Sequence, residues 1–229
     1  MKKIITSRLS QENAALIEQQ KAFQLVLYVV VAYCATVLFF NVIVLYMFHL
    51  EATNEWLNWI YLIVIAGVLT FLLPILNDPL HDIGLKLHHW RNFLEPLGII
   101  LIFFGVLKIA ENHNLPYVQN FSFNEYFHEL FKAKSLLYLL HAAIQDALGF
   151  GIFLVSLLKV LPSRPAISHV LLTSLLFGIL HIDFGLGVMF GSFLLAFLLG
   201  LLFLHQRTLW GIVCIHYVVG IFYIHFWQM

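Results

Sequence analysis

The segment HAAIQDALGFG, residues 141–151, sets His141, Gln145 and Asp146 inside an otherwise apolar run. Further along, His181 closes the stretch FGILH, and His216 stands inside WGIVCIHYVVG. His169 and Asp183 flank His181 on either side. An ionisable side chain at membrane depth costs several kcal/mol unless it faces a cavity or a partner, so each of these is a functional candidate. Residues four apart share a helix face, so His141 and Gln145 point the same way while Asp146 is turned by about 100°. Gly149 and Gly151 leave bare backbone on that helix and permit a neighbour to approach closely. Two imidazoles and a carboxylate converging in a low-dielectric cavity either hold a divalent metal such as zinc, with His181 and His216 as ligands, or activate water and polarise a carbonyl. Both chemistries end in hydrolysis. No HExxH spacing accompanies them.

The elements that must position these groups are membrane spans. Of 229 residues, 62% are hydrophobic and 10% charged, with a mean hydropathy of +0.92. That composition belongs to an integral, multi-pass membrane protein in contact with lipid. The zero formal net charge gives no sign of a nucleic-acid partner. Cys34 and Cys214 both fall in apolar runs, which argues against a disulfide framework. About 20 apolar residues of helix cross the hydrocarbon layer. Seven stretches qualify or nearly so, at 22–48, 57–77, 93–110, 135–160, 167–182, 184–204 and 208–227. Residues 1–21 read as a polar, amphipathic cytoplasmic tail, and 111–134, with FNEYFHELFKAK, as a helix lying in the interface. HIDFG makes a tight turn that closes the fifth and sixth spans into a hairpin. The expected fold is therefore an all-α polytopic bundle of about seven helices, as one membrane domain with an appendage at 1–134 and a core at 135–229. Lys and Arg counts put the N-terminus inside and the C-terminus outside. The antiparallel fourth and fifth spans then bring His141 to Asp146 to the same membrane side as His181.

In the last four spans the polar residues fall into motifs. The chain resembles the CPBP family, intramembrane endopeptidases that include the type II CAAX prenyl endopeptidases and bacteriocin self-immunity proteins. The family's EExxxR motif, with a following Gly, falls on QDALGFG, with Gln145 and Asp146 for the two Glu, Phe150 for the Arg and Gly151 retained. FxxxH is intact from Phe177 to His181. In TLWGIVCIHYVVG the His is kept as His216, and Gly220 stands where the family has Asn. The resemblance covers roughly 135–225, with GLLFLHQRTLW between the second and third motifs.

The resemblance implies a peptide bond hydrolysed near the membrane surface, on a prenylated or leader-bearing peptide, in a bacterial cell membrane. It also implies that the first Glu activates water, the second pairs with the Arg, and the two His with the Asn bind or polarise the reacting carbonyl. Gln145 cannot accept a proton from water. Asp146, with Phe150 in place of the Arg, loses its cation, and a buried carboxylate without a cation is a stronger base. Two functions are compatible with these residues. Either Asp146 has become the base, with His181 and His216 polarising and Gln145 donating a hydrogen bond, or the chain is a catalytically inactive relative that binds a membrane partner or confers bacteriocin immunity. A transporter would carry broken helices and an inverted repeat, and neither is visible.

Overall fold

The computed structural model describes residues 2–38, 55–76, 83–85, 90–113 and 121–226. Eight helices carry nearly all of them: α1 (Lys2–Leu38), α2 (Glu55–Leu72), α3 (Leu94–Asn112), α4 (Phe123–Glu129), α5 (Ala133–Val160), α6 (Ala166–Ile179), α7 (Leu186–Gln206) and α8 (Trp210–Phe226). There is no strand among the described residues. Among the described residues three stretches are long and apolar enough to cross a membrane, Glu12–Thr36, Ala133–Val160 and Leu186–Gln206, and three shorter apolar helices accompany them at Leu62–Ile75, Ala166–Ile179 and Trp210–Ile224. The expected all-α bundle is what forms. On α7 the apolar side chains of Phe190, Leu194 and Leu198 point out of the bundle, as a lipid-facing helix requires.

At the N-terminus the expected tail is instead the first half of α1. No Gly or Pro interrupts residues 2–38, and the Glu, Gln, Lys and Ala of its polar half are strong helix formers. That half also has a partner, because Lys159 reaches Glu18 at 3.4 Å and Gln19 donates to the Val160 carbonyl at 3.2 Å. The end of the first span beyond 38, and Lys86, lie outside the described residues.

Where a helix at the interface was expected, α4 is only seven residues long and is docked. Ser122 caps it by accepting from the Glu125 amide, and Glu111 accepts from the Phe123 amide at 3.1 Å. Tyr126 is fully buried and donates to the Val218 carbonyl of α8 at 2.6 Å. Burial holds its phenol well above the ordinary tyrosine range. Phe127 and Phe131 form the outward face. An aromatic row at helical spacing thus serves as a core anchor as well as an exposed face.

Helix α5 changes its winding midway. Residues 147–154 are π-helical, all eight are buried, and α-helix resumes at Val155. A π segment adds residues per turn, so it rotates the first half of the helix relative to the second, as compared with an unbroken α-helix. Gly149 and Gly151 lie inside it. A Cβ at Gly151 would come within 2.9 Å of the Ile83 backbone, so the 83–85 loop presses directly on this turn. That loop in turn holds the start of α8, accepting from the Leu209 amide at Gly84 and from the Trp210 indole at Leu85, at 2.9 and 2.8 Å.

The expected hairpin joins α6 and α7 through a short 3₁₀ turn at Ile182–Phe184 and Gly185, whose φ of 100° favours glycine. Gly178 lets α7 close in: a Cβ there would lie 2.9 Å from Phe193. In the core, α1 and α2 meet α5 through Leu25, Val29, Leu62, Ile65, Leu148 and Ile152. Phe150, Phe177, Phe203 and Ile212 tie α5 to α6, α7 and α8.

Candidate active site

Asp146 and His216 carry the centre. Asp146 is wholly buried on the last α-helical turn of α5 before the π segment, and His216 is 2% exposed in the middle of α8. The imidazole Nδ1 donates to Asp146 Oδ1 at 2.9 Å. With Asp146 ionised and His216 neutral, the carboxylate can only accept, so the ring proton is assigned to Nδ1 and Nε2 is left as an acceptor. Tyr138, two turns before Asp146 on α5, fills that role with its hydroxyl 3.2 Å from Nε2. A carboxylate, an imidazole and a phenol thus form one hydrogen-bonded chain across α5 and α8. The second carboxylate oxygen of Asp146, Oδ2, is buried with no hydrogen-bond partner among the described residues.

This corrects one expectation. Asp146 does lack an Arg on its own helix, but its partner comes from α8. Phe150 has left the polar site for the core, fully buried and stacked 6.3 Å from Phe177, with Phe203 on another side. Winding accounts for the separation, since the π turn starts directly after Asp146 and Phe150 lies inside it.

His181 approaches the same centre from just past the end of α6, with Phe177 between it and His216. Its Nδ1 donates to the Phe177 carbonyl at 2.8 Å, which orients the ring and leaves Nε2 as its acceptor. Phe177 stacks on the His181 ring at 5.1 Å and meets His216 edge-on at 5.5 Å, so the first residue of FGILH spaces the two imidazoles apart. His141 stacks on Tyr138 at 6.1 Å and lies close enough to His181 and His216 to feel both electrostatically. Gln145 is 5% exposed beside Asp146 in the chain.

His169 does not join them. Both of its ring nitrogens face carbonyl oxygens 3.1 Å away, those of Pro165 and Leu161, so it ties down the turn between α5 and α6. The side chain of Asp183 lies outside the described residues. Among the described residues no three His, Cys, Asp or Glu are grouped to hold a metal ion. His216 has both nitrogens engaged already, and a zinc site takes at least three protein ligands. The donor set present therefore does not fit zinc on His181 and His216.

Sequence reasoning missed Tyr138. The signal was present in its spacing, three residues before His141 and seven before Gln145, which keeps all three on one face of α5.

Residues 128–222, less than half of the chain, match the family model for type II CAAX prenyl endopeptidase Rce1-like proteins. The likeness is confined to this region. It runs from the end of α4 to α8 and contains every residue of the centre. No curated protein and no solved structure matches the chain. Within the matched region, His181 and His216 face each other across Phe177.

Proposed function

We propose that the Rce1-like region hydrolyses a peptide bond near the membrane surface, with Asp146 as the base that activates water. The observation that carries this reading is the buried Asp146–His216 pair, which engages one carboxylate oxygen and leaves Oδ2 without a protein partner among the described residues. A water held at Oδ2 gives up its proton to the carboxylate as its oxygen attacks the peptide carbon and the C=O electron pair moves to oxygen. When the tetrahedral adduct collapses, the C–N pair returns to nitrogen, which takes the proton from Asp146. His216, held by its bond to Asp146, keeps the carboxylate aimed, and His181 and Gln145 hydrogen-bond the substrate around the scissile bond. The substrate is a membrane-associated peptide, prenylated or leader-bearing, met in a bacterial cell membrane.

One observation favours a second reading. Phe150, fully buried among aromatic rings, and Gln145, unable to act as a base, have removed two of the motif's charged groups. On this reading the region is an inactive relative that binds a membrane peptide or confers bacteriocin immunity.

Purified protein offered a quenched-fluorescent peptide library separates the two. Hydrolysis requires cleavage by the wild type that falls at least 100-fold in Asp146→Asn and in His181→Ala. Equal cleavage by all three preparations removes the enzyme reading. Binding without cleavage, together with cleavage gained in Gln145→Glu, favours the inactive relative.

A further inference from the structure

The residue four after His216 is Gly220, and the space beside it is filled. A Cβ built there would fall 2.6 Å from Cε1 and 2.7 Å from Cζ of Tyr138, and closer still to the hydroxyl. No residue with a side chain fits at 220 while Tyr138 keeps its position. The absent side chain on α8 and the phenol from α5 are two halves of one arrangement.

The phenol is not inert filler. Its hydroxyl lies 3.2 Å from His216 Nε2, with the two rings edge-on at 6.0 Å. Because Nδ1 of that ring spends its proton on Asp146, Nε2 offers only a lone pair, and the Tyr138 hydroxyl must donate to it. A polarised O–H therefore lies one imidazole away from the carboxylate, on the same helix and two turns before it. A donor in a water-poor site is worth most where negative charge develops during reaction.

Resting on the hydrolase reading above, we propose that Tyr138 is a catalytic residue whose hydroxyl turns from His216 Nε2 to the carbonyl oxygen of the bound peptide as that oxygen becomes negative. No proton leaves Tyr138 in this step. The water proton goes to Asp146, and Tyr138 contributes a hydrogen bond that is stronger to the oxyanion than to the ground-state carbonyl. Gly220 is what admits it.

Tyr138→Phe removes the hydroxyl and keeps the ring, so the packing against His141 and His216 stays. With a cleaved peptide from the library, the expected result is a fall in kcat of about 100-fold with KM changed less than about threefold and the melting midpoint near that of the wild type. Gly220→Ala, which pushes the phenol away, lowers kcat similarly, and adding it to Tyr138→Phe lowers kcat no further. A phosphinic pseudopeptide, a stable mimic of the tetrahedral adduct, gives a readout independent of turnover. It should bind wild type at least tenfold more tightly than Tyr138→Phe. Cleavage by the wild type with kcat in Tyr138→Phe within twofold overturns the proposal and leaves the hydrolase reading standing. Absence of cleavage by the wild type fells the hydrolase reading, and the pseudopeptide then decides alone: a tenfold difference retains Tyr138 as the oxyanion donor of the site, and equal affinity overturns it.

Discussion

The Tyr138 hydroxyl occupies the room that a side chain at Gly220 would need, and from there it reaches His216 Nε2 at 3.2 Å. Set beside the Asp146–His216 bond on the other ring nitrogen, this makes His216 the middle of a three-residue chain. Two departures from the motifs read in the sequence have a physical counterpart nearby. Gly220 is matched by Tyr138, and the absent Arg by an imidazole from α8.

Stability should register the pair. His216→Ala leaves the buried Asp146 carboxylate without its hydrogen-bond donor, at a cost of roughly 1–3 kcal/mol. In an Asp146→Asn background the same substitution should cost markedly less, because no charge is left unpaired. Unfolding of the four proteins in detergent measures the difference. Additive costs would mean that the two side chains do not interact.

The glycines of the π turn should differ sharply. At Gly151 a Cβ would meet backbone atoms of Ile83 at 2.9 Å, and backbone cannot swing aside, whereas at Gly149 the nearest atom is a Phe177 ring carbon at 3.8 Å. Gly151→Ala is expected to lose about 1–3 kcal/mol and to loosen the 83–85 loop, while Gly149→Ala stays within about 1 kcal/mol of wild type. Thermal denaturation supplies the first number, and hydrogen exchange at Leu209 and Trp210, whose donors that loop accepts, supplies the second.

Restoring the motif's charge at 150 should fail. Phe150 is fully buried against Phe177 and Phe203, so Phe150→Arg places a guanidinium among aromatic rings at a cost above about 3 kcal/mol. Phe150→Leu, which keeps an apolar side chain, should remain monodisperse in size-exclusion chromatography where the Arg variant aggregates.

His169 provides the contrast with His181. Clamped to the carbonyls of Leu161 and Pro165, it holds a turn and touches no part of the centre. His169→Asn should lower the melting midpoint yet keep the kcat of the folded fraction, the reverse of what His181→Ala does.

Much of this was legible in the chain. Apolar length alone separated the spans, and the order of Asp146, His181 and His216 on successive spans was enough to suggest that they converge. Three things were hidden for physical reasons. The continuity of α1 was obscured because its polar half looks like a tail until Lys159 and Val160 are seen to hold it. The π winding of 147–154 arises from close packing against a distant loop, which no local periodicity records. Tyr138 escaped notice because a tyrosine in an apolar span is commonly an interfacial anchor, and its meaning depends on an absent side chain 82 positions away at Gly220.

The most direct test of the centre is cleavage in H₂¹⁸O, with the new carboxyl termini read by mass spectrometry. If Asp146 activates water against a peptide bond, wild-type products carry one ¹⁸O at the cut, and Asp146→Asn yields labelled product at least 100-fold more slowly. Labelled product formed by Asp146→Asn at the wild-type rate would contradict the account.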